Sequence, residues 1–137
     1  MMNYDFALFG FWVLALTLCV QFVVASVVKA KHPNAIPGKI SESLSHGSFV
    51  FRAHRTFMNS LENLPLFLCA FLLATYTQVE PYWLGVAMWI YALARIVHML
   101  LYYAIATERN PSPRSYAFLV GFLATLALLI KAGWQLL

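Results

Sequence analysis

The chain has 137 residues, of which 62% are hydrophobic, 16% are aromatic and only 10% are charged. Because soluble domains carry about 25% charged residues, this composition excludes an ordinary soluble protein and predicts an integral membrane protein. The formal net charge is +4, but the basic residues form no run that resembles a nucleic-acid-binding surface. We therefore expect a membrane protein without a nucleic-acid partner.

Four apolar blocks are each long enough for the roughly 20 residues that cross the hydrocarbon core of a bilayer. They predict transmembrane helices over residues 6–28, 47–76, 82–106 and 115–137. The first block does not read as a secretion signal, because Asp5 is the only charged side chain before it and its apolar run is too long. We expect one domain over residues 1–137, an all-α antiparallel bundle of four transmembrane helices.

The connections between the blocks predict the orientation of the bundle. Lys29, Lys31 and Lys39 lie in or beside the first connection, and Arg109 and Arg114 lie at the third. The N-terminus and the second connection contain acids and no base. By the positive-inside rule, the first and third connections face the cytoplasm, and both termini face away from it. Lys131 is the one exception, and a lysine whose ammonium reaches the membrane surface explains it.

The second helix carries charged residues at membrane depth. Its purely apolar part, 64–76, has only 13 residues, so the helix must extend back through the polar stretch in order to span. Arg55, Asn59 and Glu62 in that stretch are spaced i, i+4 and i+7, which places them on one face of a helix, and Arg52 lies one turn earlier.

The third helix repeats this pattern with Arg95, His98 and Tyr102, spaced i, i+3 and i+7. Because ionisable groups are costly in lipid, both polar faces should point into the bundle, at the depth where Arg114 begins the fourth helix. The arginines outnumber Glu62, the one acid inside these helices, so they fit an anionic ligand with more than one carboxylate. Ion pairs that serve only to specify helix packing are the alternative.

Three motifs, in this order, resemble the MAPEG family, the membrane-associated proteins of eicosanoid and glutathione metabolism. They are RTFMNSLENLP, RIVHMLLY and PSPRS, which begin at Arg55, Arg95 and Pro111. The resemblance implies a homotrimer that holds glutathione in a crevice between neighbouring subunits, near the cytoplasmic side. It also implies an enzyme whose second substrate is a lipophilic small molecule, and it leaves transferase, peroxidase and isomerase activities open.

The resemblance further assigns roles to individual residues. Arg114 would stabilise the glutathione thiolate, and Ser115 beside it is a second catalytic candidate. Glu62 would bind the ammonium group of glutathione, and arginines would bind its carboxylates. The implied glutathione-binding residues are Lys29, Arg52, Arg55, Asn59, Glu62, Arg95, His98 and Tyr102, with Lys31 as an alternative to Lys29.

Some positions allow a second interpretation. His98 also suits a packing role, and Tyr102 also suits an aromatic anchor at the membrane surface. Phe118 stands where relatives carry a further tyrosine. His46 and His54 are expected to be solvated residues at the interface, and we expect no metal site.

Two other functions compete with the enzyme. A non-enzymatic lipid-binding or scaffold protein of the same family is the first, and the retained Arg, Asn, Glu and Arg set argues against it. A small proton-coupled transporter that uses Glu62 is the second. It is disfavoured because a carboxylate surrounded by arginines holds its charge.

Overall fold

The computed structural model describes residues 4–137, which form four α-helices. These helices are α1, Asp5–Ala30; α2, Phe49–Tyr76; α3, Pro81–Ala104; and α4, Pro113–Trp134. Each helix is long and apolar enough to cross a membrane. The predicted all-α, four-span architecture is therefore confirmed, and the chain is a multi-pass integral membrane protein.

The ends of the helices differ from the predicted ends by no more than three residues. Helices α3 and α4 begin earlier than predicted, at Pro81 and Pro113. Proline suits the first position of a helix, because the amide hydrogen that it lacks would have no partner within the helix there. Ser112 precedes α4, and its backbone N–H donates to the side-chain oxygen of Ser115 at 3.1 Å. Helix α3 ends two residues earlier than predicted, at Ala104, where the chain becomes extended.

Helices α2 and α3 pack against each other, and both contact α1 and α4. Within residues 4–137, α1 and α4 do not contact each other, so they flank the central pair. Ring contacts of Phe11 with Phe71 and of Phe22 with Phe57 show that α1 and α2 run antiparallel. This arrangement places the first and third connections together at one end of the bundle.

The apolar core lies in the half of the bundle nearer the second connection. Its centre is a stack of the Phe67 and Tyr91 rings, whose centroids are 3.7 Å apart, and both side chains are buried. Gly85 allows α1 to approach α3, because a Cβ atom there would collide with the ring of Phe6. The indole N–H of Trp89 donates to the carbonyl oxygen of Phe6 at 3.1 Å. The other half of the bundle is left for polar side chains.

Candidate functional site

Side chains from three helices enclose a cavity of about 210 Å³ at the end of the bundle where the first and third connections lie. The lining residues are Arg55 and Asn59 of α2, His98 and Tyr102 of α3, and Arg114, Ser115 and Phe118 of α4. Six of the predicted site residues thus share one cavity, and Phe118 also lines it. The polar faces that the sequence places on separate helices meet at one depth.

Arg95 lies behind the wall of this cavity, not in it. Its side chain is 2% exposed, and its Nη2 atom donates to Asn59 Oδ1 at 2.9 Å and to Ser60 Oγ at 2.9 Å. The same nitrogen lies 3.4 Å from Nδ1 of His98. Since Asn59 and His98 line the cavity, Arg95 positions two of its walls and joins α3 to α2.

Glu62 lies beside the cavity and is paired with Arg55. Arg55 Nη1 is 3.3 Å from Glu62 Oε1, and the two side chains are 39% and 49% exposed. A ligand that carries both a carboxylate and an ammonium group offers each member of this pair a new partner of opposite charge.

Arg114 presents its charge to the cavity without a carboxylate partner. In the described part of the chain the ion pairs are His46 with Glu108 and Arg55 with Glu62. The guanidinium carbon of Arg114 lies 4.1 Å from the centroid of the Tyr102 ring, a cation–π contact. The same guanidinium donates to the carbonyl oxygen of Thr107 at 3.4 Å. Because it has no carboxylate partner among the described residues, it favours the binding of an anion in the cavity.

Ser115 lines the cavity, but its side-chain oxygen is also used to begin α4. It lies 3.1 Å from the backbone nitrogen of Ser112 and 3.0 Å from the Ser112 hydroxyl oxygen. The first of these contacts gives the amide of Ser112, which precedes the helix, a hydrogen-bond acceptor. Ser115 therefore helps to position Arg114, its neighbour in the chain, and this role does not require Ser115 to contact a ligand.

Arg52 does not line the cavity. Its Nη1 atom donates to the carbonyl oxygens of His46 at 2.7 Å and Gly47 at 3.1 Å, and its Nη2 atom donates to that of Tyr103 at 3.4 Å. Arg52 thus ties the segment before α2 to the end of α3. The structure accounts for this arginine through the backbone carbonyls that it binds.

The two lysines predicted at the end of α1 also lie outside the cavity of this single chain. Lys29 belongs to the last turn of α1 and lines a separate cavity of about 510 Å³ beneath the first connection, together with Lys39 and Glu42. Lys31 is the exposed residue that follows α1. Neither ammonium group meets the arginines of α2 and α4 within one subunit.

The expectation that His46 is a solvated residue is wrong. Its Nε2 atom lies 3.0 Å from the hydroxyl oxygen of Tyr102, and its Nδ1 atom lies 2.9 Å from Glu108 Oε1. Only 21% of its side chain is exposed. Sequence reasoning missed this residue because 56 positions separate it from Tyr102. The available signal was the prediction that the first and third connections lie at the same end of the bundle.

Comparison with protein-family models matches the chain to the MAPEG family over residues 6–134, which is nearly its whole length. Comparison with curated proteins finds no significant match, and comparison with solved structures finds none either. The family match covers every residue of the cavity and all of the helical residues except Asp5, the first residue of α1. The chain therefore belongs to the MAPEG family, as its three motifs predict.

Proposed function

We propose that this protein is a glutathione-dependent membrane enzyme that conjugates glutathione to lipophilic electrophiles, reduces lipid hydroperoxides, or does both. The observation that carries the proposal is the Arg114 guanidinium, which has no carboxylate partner among the described residues and faces a cavity that Arg55 also lines. The MAPEG family includes glutathione transferases and peroxidase-like members, although some of its members are not enzymes. Two arginines in one cavity, of which Arg114 has no carboxylate partner among the described residues, favour the enzymatic interpretation.

The site offers partners for one carboxylate, the ammonium group and the thiol of glutathione, and the second carboxylate would need a further cation. Arg55 would bind a carboxylate in a two-pronged contact, and Glu62 would then turn to the ammonium group. Asn59 and His98, held by Arg95, would bind the peptide groups of the ligand. Arg114 would remain for the sulfur.

Arg114 would act by favouring the thiolate form of glutathione. A free thiol with a pKa of about 8.5 is only a few per cent ionised at neutral pH, and a nearby guanidinium lowers that pKa. In conjugation, the sulfur electron pair forms a bond to the electrophilic carbon as the leaving group departs. In peroxide reduction, the sulfur attacks the terminal oxygen and releases the lipid alcohol, and a second glutathione then forms the disulfide and water.

The size of the cavity supports assembly with further copies of the chain. At about 210 Å³, it is smaller than the roughly 300–1,000 Å³ of typical ligand pockets. We propose a homotrimer in which a neighbouring subunit completes the crevice. A basic residue at the end of α1, Lys29 or Lys31, is its proposed contribution.

The orientation of the site also belongs to the proposal. The cavity would face the cytoplasm, and both termini would face away from it, because the basic first and third connections favour the cytoplasmic side. Glutathione would then enter from the cytoplasm. The lipophilic substrate would arrive through the bilayer.

The test is a titration of the detergent-purified protein with glutathione, followed through the ultraviolet absorbance of the thiolate. S-methylglutathione is the matched control, because it keeps both carboxylates and the ammonium group but has no ionisable thiol. We expect a saturable thiolate signal with glutathione that S-methylglutathione displaces. A panel of electrophiles and a lipid hydroperoxide then separates transferase from peroxidase activity.

The same titration decides between the enzyme and its alternatives. Absence of both the thiolate signal and competition by S-methylglutathione would leave the lipid-binding scaffold as the better account. Uptake into proteoliposomes, driven by a proton gradient, would instead support the transporter.

A further inference from the structure

Three side chains from separate segments form a hydrogen-bonded chain that leads from the cavity to water. Glu108, in the third connection, lies 2.9 Å from Nδ1 of His46, and Nε2 of His46 lies 3.0 Å from the Tyr102 hydroxyl oxygen. Tyr102 is 6% exposed and lines the cavity. The Glu108 side chain is 70% exposed, so the chain begins in the site and ends at the surface.

The carboxylate at one end determines where the protons of this chain lie. An ionised Glu108 only accepts hydrogen bonds, so Nδ1 of His46 carries the hydrogen that it donates to Glu108. In the neutral ring, Nε2 is then an acceptor, and the Tyr102 hydroxyl must donate to it. The remaining lone pair of the Tyr102 oxygen is left for a donor, such as a thiol, that enters the cavity.

The surroundings hold His46 in this geometry. Its backbone N–H donates to Glu108 Oε1 at 3.2 Å, and its carbonyl oxygen accepts from Arg52 at 2.7 Å. The His46 and Tyr102 rings stack with centroids 5.8 Å apart. The ionisable groups that contact this chain are Arg52 beside His46, and Arg114 and His98 beside the Tyr102 ring.

If His46 only tied the first connection to the third, both nitrogens of its ring would not need a partner. The backbone contact of His46 with Glu108 and the Arg52 contacts already join these segments. The imidazole adds a second link, and it joins a carboxylate at the surface to a phenol in the cavity. A carboxylate that orients an imidazole towards a hydroxyl is the arrangement by which proteins move protons.

We propose that His46 and Glu108 form a proton relay that removes the thiol proton of bound glutathione through Tyr102, an inference that rests on the proposed function. The thiol proton moves to the Tyr102 oxygen as the phenolic proton moves to Nε2 of His46. The resulting imidazolium is stabilised by the Glu108 carboxylate and returns to neutral by releasing a proton to water. The thiolate remains in the cavity, where the Tyr102 hydroxyl and Arg114 stabilise it.

Arg114 and the relay thus have separable effects. The Arg114 charge determines how much thiolate is present at equilibrium, whereas His46 determines how fast the thiolate forms. Replacement of His46 should slow thiolate formation and leave the affinity for glutathione nearly unchanged. His46 is a positioning and proton-transfer residue that acts through Tyr102.

The experiment mixes the full-length protein rapidly with glutathione at neutral pH and records the growth of thiolate absorbance. We expect His46→Gln to slow this growth by about tenfold or more, since positioned bases contribute about 10²–10⁴-fold. Added imidazole and higher pH should restore part of the rate. Glu108→Gln, a change at an exposed position, should slow it by a smaller factor.

His32→Gln is the matched control, because His32 belongs to the same connection and its ring contacts the carbonyl oxygen of Pro33. It should form thiolate at the normal rate. A rate within twofold of normal in the His46 variant would overturn the relay. A slow rate that neither imidazole nor pH changes would also overturn it, because that result indicates a structural role.

The normal protein separates this inference from the function on which it rests. A saturable thiolate signal in the normal protein, together with an unchanged rate in His46→Gln, refutes the relay alone. Absence of the signal in the normal protein refutes the glutathione-dependent function and the relay with it.

Discussion

Replacement of Arg114 by alanine tests the chemistry of the site most directly. The guanidinium of this residue lies 4.1 Å from the Tyr102 ring, so its charge is within reach of a sulfur atom bound beside that ring. Two unit charges about 4 Å apart gain about 4 kcal/mol at an effective dielectric constant of about 20. Lowering a thiol pKa from about 8.5 to about 6.5 requires about 2.7 kcal/mol, which is within that limit.

This shift determines the size of the expected effect. At pH 7 the thiolate fraction rises from about 3% at a pKa of about 8.5 to about 75% at a pKa of about 6.5. Arg114→Ala should therefore reduce turnover by more than tenfold and by about 25-fold at most from this cause alone. The affinity for glutathione should fall less, because Arg55 still binds a carboxylate.

The assay measures turnover against pH for the normal and mutant proteins, each normalised to correctly folded protein. Because the thiolate fraction rises with pH, the mutant rate should climb between about pH 7 and about pH 8.5 and recover much of the loss. Arg109→Ala is the matched control, since Arg109 is an exposed cation in the connection just before α4 and lies outside the cavity. Near-normal turnover in Arg114→Ala, or a deficit that is independent of pH, would refute the assignment.

Three further predictions concern binding and assembly. Glu62→Gln should weaken glutathione binding by tenfold or more, about 1.4 kcal/mol, and leave the protein in the membrane. Glu80→Gln, at the other end of the bundle, should bind glutathione normally. Equal affinities of the two variants by calorimetry would remove Glu62 from the site. Arg95→Leu should lower the free energy of unfolding in detergent by about 2–4 kcal/mol, because Asn59 and Ser60 lose a buried donor, and unchanged denaturation would contradict this. The protein mass in the detergent complex should be three times 15.5 kDa, and a monomer with full glutathione affinity would refute assembly at the site.

The sequence by itself determined the membrane architecture and the positions of the polar faces. Apolar length sets the number of spans, because a helix must be long enough to cross the hydrocarbon core. The 13 apolar residues after Asn63 are too few, which required α2 to begin in the polar stretch, and the structure starts it at Phe49. Helical spacing then placed Arg55 with Asn59, and Arg95 with His98, on common faces.

Only the tertiary structure decided how these faces divide their roles. Spacing along one helix shows which residues share a face, but contacts between helices depend on rotation and depth, which a single sequence does not report. Arg95 and Arg55 look alike in the sequence, yet one is buried behind the cavity wall and the other lines the cavity. Arg52 lies on the predicted polar face, yet backbone carbonyls bind its guanidinium.

His46 shows this limit most clearly. Nothing near it in the chain marks it as part of a site, because its partners are Tyr102 in α3 and Glu108 in the third connection. These three residues meet because antiparallel helices bring the first and third connections to the same end of the bundle. Periodicity describes one element at a time, and a chain of hydrogen bonds across three elements exists only when the elements pack.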